Sequence, residues 1–242
     1  MALTAAGIQK FLGITVSLQS FPLFFIYLIL ILLAPVWQRV TYPVQLRPLM
    51  IIHNFVCSFI SLYSLIGFLY CFTLVESSFQ LGPAPFVLPY VKMYWITKIL
   101  ELMDTGFMIL RHKRRQISFL HVYHHSSMLL LTDACYHLYP WPAITVYLAT
   151  NSFVHVVLYL YYGLTALFPD RSFPWKKNIT QLQILQFLAL FVHALVGYLN
   201  HGFCIYALLY GFTMTSLFSN FYYNAYIRKK QSKSETINNH ID

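Results

Sequence analysis

The sequence predicts an all-α polytopic membrane protein, with seven transmembrane helices in one bundle around an enclosed tunnel that faces the cytosol. Three observations support this. Of the 242 residues, 58% are hydrophobic and 10% are charged, with a mean hydropathy of +0.60. Such a composition, in long apolar runs, is typical of membrane spans rather than of soluble domains. The other two observations are the distribution of basic residues between loops and the polar side chains inside apolar segments.

Seven apolar segments are separated by loops rich in turn-forming or charged residues. Prolines and glycines interrupt the pattern, as in the stretch 76–89 and at Pro140 and Pro142, because they end helices. We interpret residues 1–242 as one integral-membrane domain, with 1–19 as an N-terminal lumenal segment and 228–242 as a basic cytosolic tail. The predicted spans are 21–37, 49–75, 90–110, 117–137, 143–167, 179–199 and 203–226.

Basic residues alternate between the two sides of the predicted bundle. The segments after the first, third, fifth and seventh spans hold two, four, three and four Lys or Arg, which is thirteen of the sixteen, and the other loops hold none. Because cytosolic loops of membrane proteins are enriched in Lys and Arg, the C-terminus is predicted to be cytosolic. The same bias accounts for the net charge of +9, so no nucleic-acid partner is expected.

The fourth span contains three histidines at positions i, i+3 and i+4. On a helix, His121, His124 and His125 fall in one sector of about 100°. Ionisable groups inside membrane helices are costly and almost always face the bundle interior. A single such histidine is usually a packing residue, but three on one face predict a reaction or ligand centre.

Polar side chains recur at helical spacing in three other spans. Glu101 can pair with Lys98, or with Asp104 if a proton or cation intervenes, and a structural ion pair is the alternative to a catalytic role. Taken with the helix rise, the positions predict a polar cavity open to the cytosol above a more apolar lumenal half. This suits a substrate with a charged head and a long hydrocarbon tail. The set comprises Lys98, Glu101, Asp104, Thr105, Asn151, His155, Thr180, Gln183 and Gln186.

Two other classes of protein remain as alternatives. The HxxHH pattern also occurs in membrane di-iron desaturases and hydroxylases, whose centres need about eight imidazoles, more than the spans offer here. A seven-span receptor or transporter is the third class, but the polar positions face the predicted cytosolic side rather than the outside.

Five motifs, in order, resemble those of the ELO family of very-long-chain fatty acid elongases of the endoplasmic reticulum. The resemblance covers residues 43–226 and is strongest to the subgroup that acts on polyunsaturated chains. The motifs are Lys98-x-x-Glu101-x-x-Asp104-Thr105, Leu120-His121-Val122-Tyr123-His124-His125, Asn151-Ser152-Phe153-Val154-His155, Tyr159-Leu160-Tyr161-Tyr162 and Thr180-Gln181-Leu182-Gln183-Ile184-Leu185-Gln186.

The resemblance implies a reaction and its participants. A fatty acyl-CoA is condensed with malonyl-CoA to give a 3-oxoacyl-CoA, CO2 and CoA, with no metal or other cofactor. It implies a multi-pass protein of the endoplasmic reticulum membrane, surrounded by lipid, with association to itself or to other elongation-cycle enzymes as further possibilities.

The resemblance also implies roles for individual residues. His124 would attack the thioester, with His121 or His125 orienting it or relaying its proton, and His155 and Asn151 would bind the malonyl unit and the developing oxyanion. A one-step condensation with His155 as acid or base stays open. Contacts to the substrates are implied for Lys98, Arg111, Lys113, Gln116, Tyr161, Lys177, Thr180, Gln183 and Arg228.

Three further positions carry expectations. Cys71 and Cys204 both fall on the predicted lumenal side, where the compartment is oxidising, and we predict a disulfide between them. Asp133 stands where the family commonly has an aromatic residue.

Overall fold

The structure is a computed structural model that describes residues 5–228, apart from the side chains of residues 5–8, 10 and 11. This part of the chain contains helices and no strand, which confirms the all-α prediction. The α-helices are α1 (Ala5–Ser17), α2 (Phe21–Val40), α3 (Arg47–Phe72), α4 (Leu88–Leu110), α5 (Phe119–His137), α6 (Pro142–Leu167), α7 (Lys176–Asn200) and α8 (Ile205–Tyr222).

Each predicted span coincides with one of the helices α2–α8, and the ends agree within four residues. Several of these helices have proline in the first turn, at Pro22, Pro48, Pro89 and Pro142. Proline suits that position because its missing N–H would have no partner inside the helix. Short 3₁₀ turns precede α4 and α5, and a π-helical turn, Tyr223–Arg228, follows α8. Most of the predicted tail, 229–242, lies outside the described residues.

The helices have the dimensions of membrane spans. Among the described residues, α2, α3, α6 and α7 are long and apolar enough to cross a bilayer. The helices α4, α5 and α8 have 23, 19 and 18 residues, or about 27–35 Å at 1.5 Å per residue. The chain is therefore a multi-pass membrane protein, and its many exposed leucine and isoleucine side chains are suited to lipid.

The chain divides into two compact units, one up to Ser172 and the other from Phe173. In the first unit α3 packs along α6, and an apolar core forms near the C-terminal end of α3. In the second unit α7 packs against α8, where the rings of Phe187 and Phe218 lie 4.9 Å apart. The core of the first unit includes Phe68, Cys71, Val87, Val91, Tyr94 and Leu148.

The four cysteines all lie among the described residues, and all are free thiols in the structure. Two of them, Cys71 and Cys204, are the cysteines predicted to form a disulfide. Cys71 is fully buried in the apolar core, with its Sγ 3.9 Å from the carbonyl oxygen of Phe86, whereas Cys204 is exposed. The disulfide between Cys71 and Cys204 therefore stays a prediction.

Intact mass after alkylation without reduction decides between the two states of Cys71 and Cys204. Denatured, unreduced protein with the disulfide takes up two labels, whereas the free thiols of the structure take up four. The same protein reduced before labelling is the control and takes up four labels in either case.

Asp133, which stands where the family commonly has an aromatic residue, has a carboxylate that contacts the turn before α2 and a histidine of α5. Asp133 is fully buried near the end of α5 and accepts a hydrogen bond from the backbone N–H of Ser20. Its other oxygen lies 2.6 Å from Nδ1 of His137, and Trp95 donates to Oγ of Ser20 at 2.8 Å. The carboxylate therefore ties the turn before α2 to α5, and through Ser20 to α4.

Replacing Asp133 by asparagine should destabilise the protein. The amide keeps one acceptor but loses the charge, and a buried partner left poorly paired costs about 1–3 kcal/mol. For a chain of this size that lowers the apparent Tm by a few degrees, on the order of 2–4 °C per kcal/mol. Thermal unfolding of the detergent-solubilised protein measures the change, and Asp170→Asn, in an exposed loop, is the matched control. Equal Tm values for the two variants would contradict the role of Asp133.

Candidate active site

The three histidines of α5 lie directly after the helix begins. Oγ of Ser118 caps the helix by accepting a hydrogen bond from the backbone N–H of His121 at 3.2 Å. The rings of His121 and His125 lie 4.3 Å apart, and those of His124 and His125 lie 5.6 Å apart. The cap fixes where the helix begins, and the helical spacing then holds the three imidazoles together.

The fourth imidazole comes from α6. The ring of His155 lies 6.4 Å from that of His124, and His155 is 5% exposed. The two helices α5 and α6 thus bring together His121, His124, His125 and His155, which the sequence separates by up to 34 positions.

A buried ion pair on α4 holds His155. Nζ of Lys98 lies 2.8 and 3.0 Å from the two carboxylate oxygens of Glu101, so Lys98 is the partner of Glu101. Nδ1 of His155 lies 2.9 Å from Oε1 of Glu101 and 3.3 Å from Nζ of Lys98. A carboxylate accepts only, so the shorter contact assigns the proton of a neutral His155 to Nδ1 and leaves Nε2 as its basic atom.

Asn151 is held one turn before His155 by a phenol. The hydroxyl of Tyr94 donates to Oδ1 of Asn151, and Nζ of Lys98 lies 4.7 Å from the centre of the Tyr94 ring. Because Oδ1 is used as the acceptor, the two donors of Asn151 are on Nδ2, the atom suited to bind a developing negative oxygen.

Asp104 has partners that the sequence did not predict. Its two oxygens lie 3.1 Å from Nε2 of His53 and 2.6 Å from the hydroxyl of Tyr159, which donates to it. Of the two partners considered for Glu101, the structure therefore has Lys98 and not Asp104. His53 is buried in the mainly apolar α3, and an ionisable residue inside such a span was the available signal for it.

The chain matches a known protein family over most of its length. The family model ELO: GNS1/SUR4 family matches residues 16–234. The chain belongs to the ELO family. It is 35% identical to very long chain fatty acid elongase 1 of Mus musculus over 91% of this chain and 85% of the relative. It is 34% identical to elongase 4 of Mus musculus over 86% and 72%, and 31% identical to elongase 5 of Tachysurus fulvidraco over 84% and 74%.

The residues of this ELO protein that were predicted to contact the substrates differ in how far they are buried. Lys98 is buried in the ion pair, about 18 Å from the end of α4 by helix rise, and is therefore not at a helix end. Arg111 is half-buried directly after α4, while Lys113 and Gln116 are exposed in the connection to α5. Tyr161 is half-buried, and its ring lies 5.8 Å from that of Tyr162.

In the second unit of the ELO protein, the residues predicted to contact the substrates also range from exposed to buried. Lys177 and Arg228 are exposed, Gln183 is half-buried and Thr180 is buried. Oγ1 of Thr180 lies 3.5 Å from the hydroxyl of Tyr226. The roles of these residues toward a substrate stay predictions.

Two imidazoles of the ELO site are engaged by neighbouring side chains. Within residues 5–228, no group of three or more His, Cys, Asp or Glu side chains is arranged to hold a metal ion. Nε2 of His121 is engaged by Thr105, and Nδ1 of His155 is engaged by Glu101. The imidazoles are therefore arranged by hydrogen bonds within the protein.

Proposed function

We propose that this ELO protein is a very-long-chain fatty acid elongase. It condenses a fatty acyl-CoA with malonyl-CoA and releases a 3-oxoacyl-CoA, CO2 and CoA. The observation that supports this best is the group of four imidazoles beside the buried pair of Lys98 and Glu101. Such a group provides a nucleophile and hydrogen-bonding partners away from water, and the relatives named elongases support the same reaction.

In the first stage His124 attacks the thioester of the fatty acyl-CoA. A bond forms between the imidazole nitrogen and the acyl carbon, the carbon–sulfur bond breaks, and the CoA thiolate leaves. His121 or His125 orients His124 and passes its proton toward the thiolate. A neutral imidazole suits this step because it attacks an acyl group and later leaves again, which divides one difficult step into two.

In the second stage malonyl-CoA loses CO2, and the electron pair of the broken bond makes the carbanion. This carbon attacks the acyl group on His124, the bond between the acyl carbon and the imidazole nitrogen breaks, and the imidazole leaves and takes up a proton from water. His155, oriented by Glu101, and the amide of Asn151 stabilise the enolate oxygen of the malonyl-derived unit. Decarboxylation supplies the carbanion, so no strong base is needed. Direct attack on the thioester, with His155 as acid or base, is the one-step alternative.

The proposed membrane topology is the one predicted from the sequence. The helices α2–α8 would all span the endoplasmic reticulum membrane, with a lumenal N-terminus, a cytosolic C-terminus and a tunnel open to the cytosol. Anionic CoA phosphates would be held by basic side chains at the cytosolic ends of helices. The resemblance to the family implies this role for Arg111, Lys113, Lys177 and Arg228.

Polyunsaturated acyl chains are the proposed preference. The support is the motif His-Val-Tyr-His-His together with Asn-Ser-Phe-Val-His. Other elongation-cycle enzymes and a second copy of the chain are the proposed partners within the membrane.

The function is tested with purified protein, labelled malonyl-CoA and a panel of saturated and polyunsaturated acyl-CoAs. We expect labelled 3-oxoacyl-CoA and CO2 in equal amounts without added metal, with most product from polyunsaturated chains. No product with any chain, together with iron in the purified protein, would contradict the elongase and support a di-iron oxidase.

A further inference from the structure

A hydrogen-bonded chain of three side chains leads from α2 to the histidines of α5. The hydroxyl of Tyr27 lies 3.0 Å from Oγ1 of Thr105 on α4, and that oxygen lies 2.8 Å from Nε2 of His121. Tyr27 and Thr105 are 4% and 1% exposed. These hydrogen bonds therefore connect α2, which carries no predicted site residue, to His121, whose ring lies beside that of His125.

The number of hydroxyl protons determines which side chain donates each of these two hydrogen bonds. Tyr27 and Thr105 each have one hydroxyl proton, and neither has another hydrogen-bond partner within residues 5–228. Both protons are used only if Tyr27 donates to Thr105 and Thr105 donates to Nε2 of His121. With a proton on Nε2 instead, the hydroxyl of either Tyr27 or Thr105 would lose its acceptor.

An unused hydroxyl at this place would be costly. Tyr27 and Thr105 border a cavity of about 300 Å³ between α2 and α4, whose other walls are apolar and include Leu23, Leu30, Ile99 and Leu102. A buried donor without an acceptor costs about 1–3 kcal/mol. A neutral His121 is therefore held with its proton on Nδ1.

Thr105 differs from other helical threonines of this protein in the partner of its hydroxyl. Helical threonines elsewhere in this protein, such as Thr97 and Thr150, donate to the backbone carbonyl four residues earlier, at 2.8 and 2.6 Å. For Thr105 that carbonyl belongs to Glu101, and within residues 5–228 the hydroxyl makes its hydrogen bonds to Tyr27 and His121 instead. The bond from Tyr27 occupies one side of Oγ1 and directs the hydroxyl proton of Thr105 to His121.

We propose that Tyr27 is a positioning residue of the condensation site: through Thr105 it fixes the orientation of His121 and the nitrogen that carries its proton. This rests on the proposed elongase function, because His121 acts there on the proton of His124. A histidine with the wrong nitrogen protonated cannot pass that proton along the same path.

The kinetic test compares substitutions along the chain. Tyr27→Phe keeps the ring and removes one hydroxyl, so kcat should fall about three- to tenfold, the effect of one net hydrogen bond. Thr105→Val should lower kcat by about tenfold or more, while Thr105→Ser, which keeps the hydroxyl, should retain nearly full activity. KM should change little in all three variants, because none of these side chains is proposed to contact substrate. Tyr42→Phe, on an exposed tyrosine, is the matched control.

The spectroscopic test reads the proton of His121 directly. The ¹⁵N signals of labelled histidine distinguish a protonated from an unprotonated ring nitrogen, and loss of a signal in His121→Gln assigns it. We expect Nδ1–H in the wild type and in Thr105→Ser, and an increased Nε2–H population in Tyr27→Phe and Thr105→Val. A protonated Nε2 in the wild type, or wild-type spectra and kcat in both of the latter variants, would overturn the proposal.

The two readouts separate this proposal from the proposed function. If the wild type does not condense acyl-CoA, the function fails, and the expected ¹⁵N changes still support the control of His121 by Tyr27. If the wild type is active but Tyr27→Phe matches it in kcat and in spectrum, the positioning role alone fails. If Tyr27→Phe does not fold, the ¹⁵N signals of wild-type His121 decide: a proton on Nδ1 supports donation from Tyr27 through Thr105, and a proton on Nε2 overturns it.

Discussion

Replacing His124 by alanine is expected to abolish condensation while the protein stays folded. Alanine cannot form the bond to the acyl carbon, and loss of a nucleophile from a cooperating group removes most of the catalysis. His155→Ala should have the same outcome because the second stage loses its support for the enolate oxygen. We expect less than about one thousandth of wild-type turnover in each, measured with labelled malonyl-CoA.

Size-exclusion profiles of both variants should match the wild type, whereas the apparent Tm of His155→Ala should fall by a few degrees, because the buried Glu101 loses a hydrogen-bond partner. His201→Ala is the control, because this histidine is exposed in the connection between α7 and α8. Turnover retained in His124→Ala would remove His124 from the mechanism, and the same result for His155→Ala would remove His155.

Replacing Glu101 by alanine is expected to destabilise the protein more than any other single change discussed above. Glu101 is 1% exposed and balances the buried charge of Lys98 while it accepts from His155. Breaking a buried ion pair by removing one partner costs about 3–5 kcal/mol, since the other charge stays buried and uncompensated. Yield of monodisperse protein and apparent Tm measure this, and Glu76→Gln, at an exposed glutamate, is the control.

A double substitution separates stability from catalysis at this pair. Replacing both charges by apolar side chains of similar volume, Lys98→Met with Glu101→Leu, should recover most of the Tm, because apolar replacements of buried pairs are often neutral or better. Turnover should stay lost, since His155 no longer has the carboxylate that fixes its proton on Nδ1. Recovery of turnover together with Tm would show that the pair is structural only.

The helices could be predicted closely from the sequence because their causes are local. Long apolar runs determine where spans lie, and prolines in the first turn determine where several begin, so the ends agree within four residues. The pairing of Lys98 with Glu101 was among the predicted pairs for the same reason, as residues three apart on a helix are neighbours.

The remaining contacts of the site depend on packing between helices far apart in sequence. Asp104 is 51 positions from His53 and 55 from Tyr159, and Tyr27 is 78 from Thr105. No local spacing connects such residues, and a single histidine or tyrosine in an apolar helix resembles an ordinary packing residue. Only the three-dimensional arrangement of α2, α3, α4 and α6 shows what these side chains contact.

The acyl–histidine intermediate is the most direct test of the account. The protein is incubated with an acyl-CoA but without malonyl-CoA, digested under mild conditions, and the peptide with His121, His124 and His125 is analysed by mass spectrometry. We expect a mass gain of one acyl group less one hydrogen, located on His124, lost on addition of malonyl-CoA and absent in His124→Ala. Full turnover by a protein that never acquires this mass would contradict the account and leave the one-step condensation.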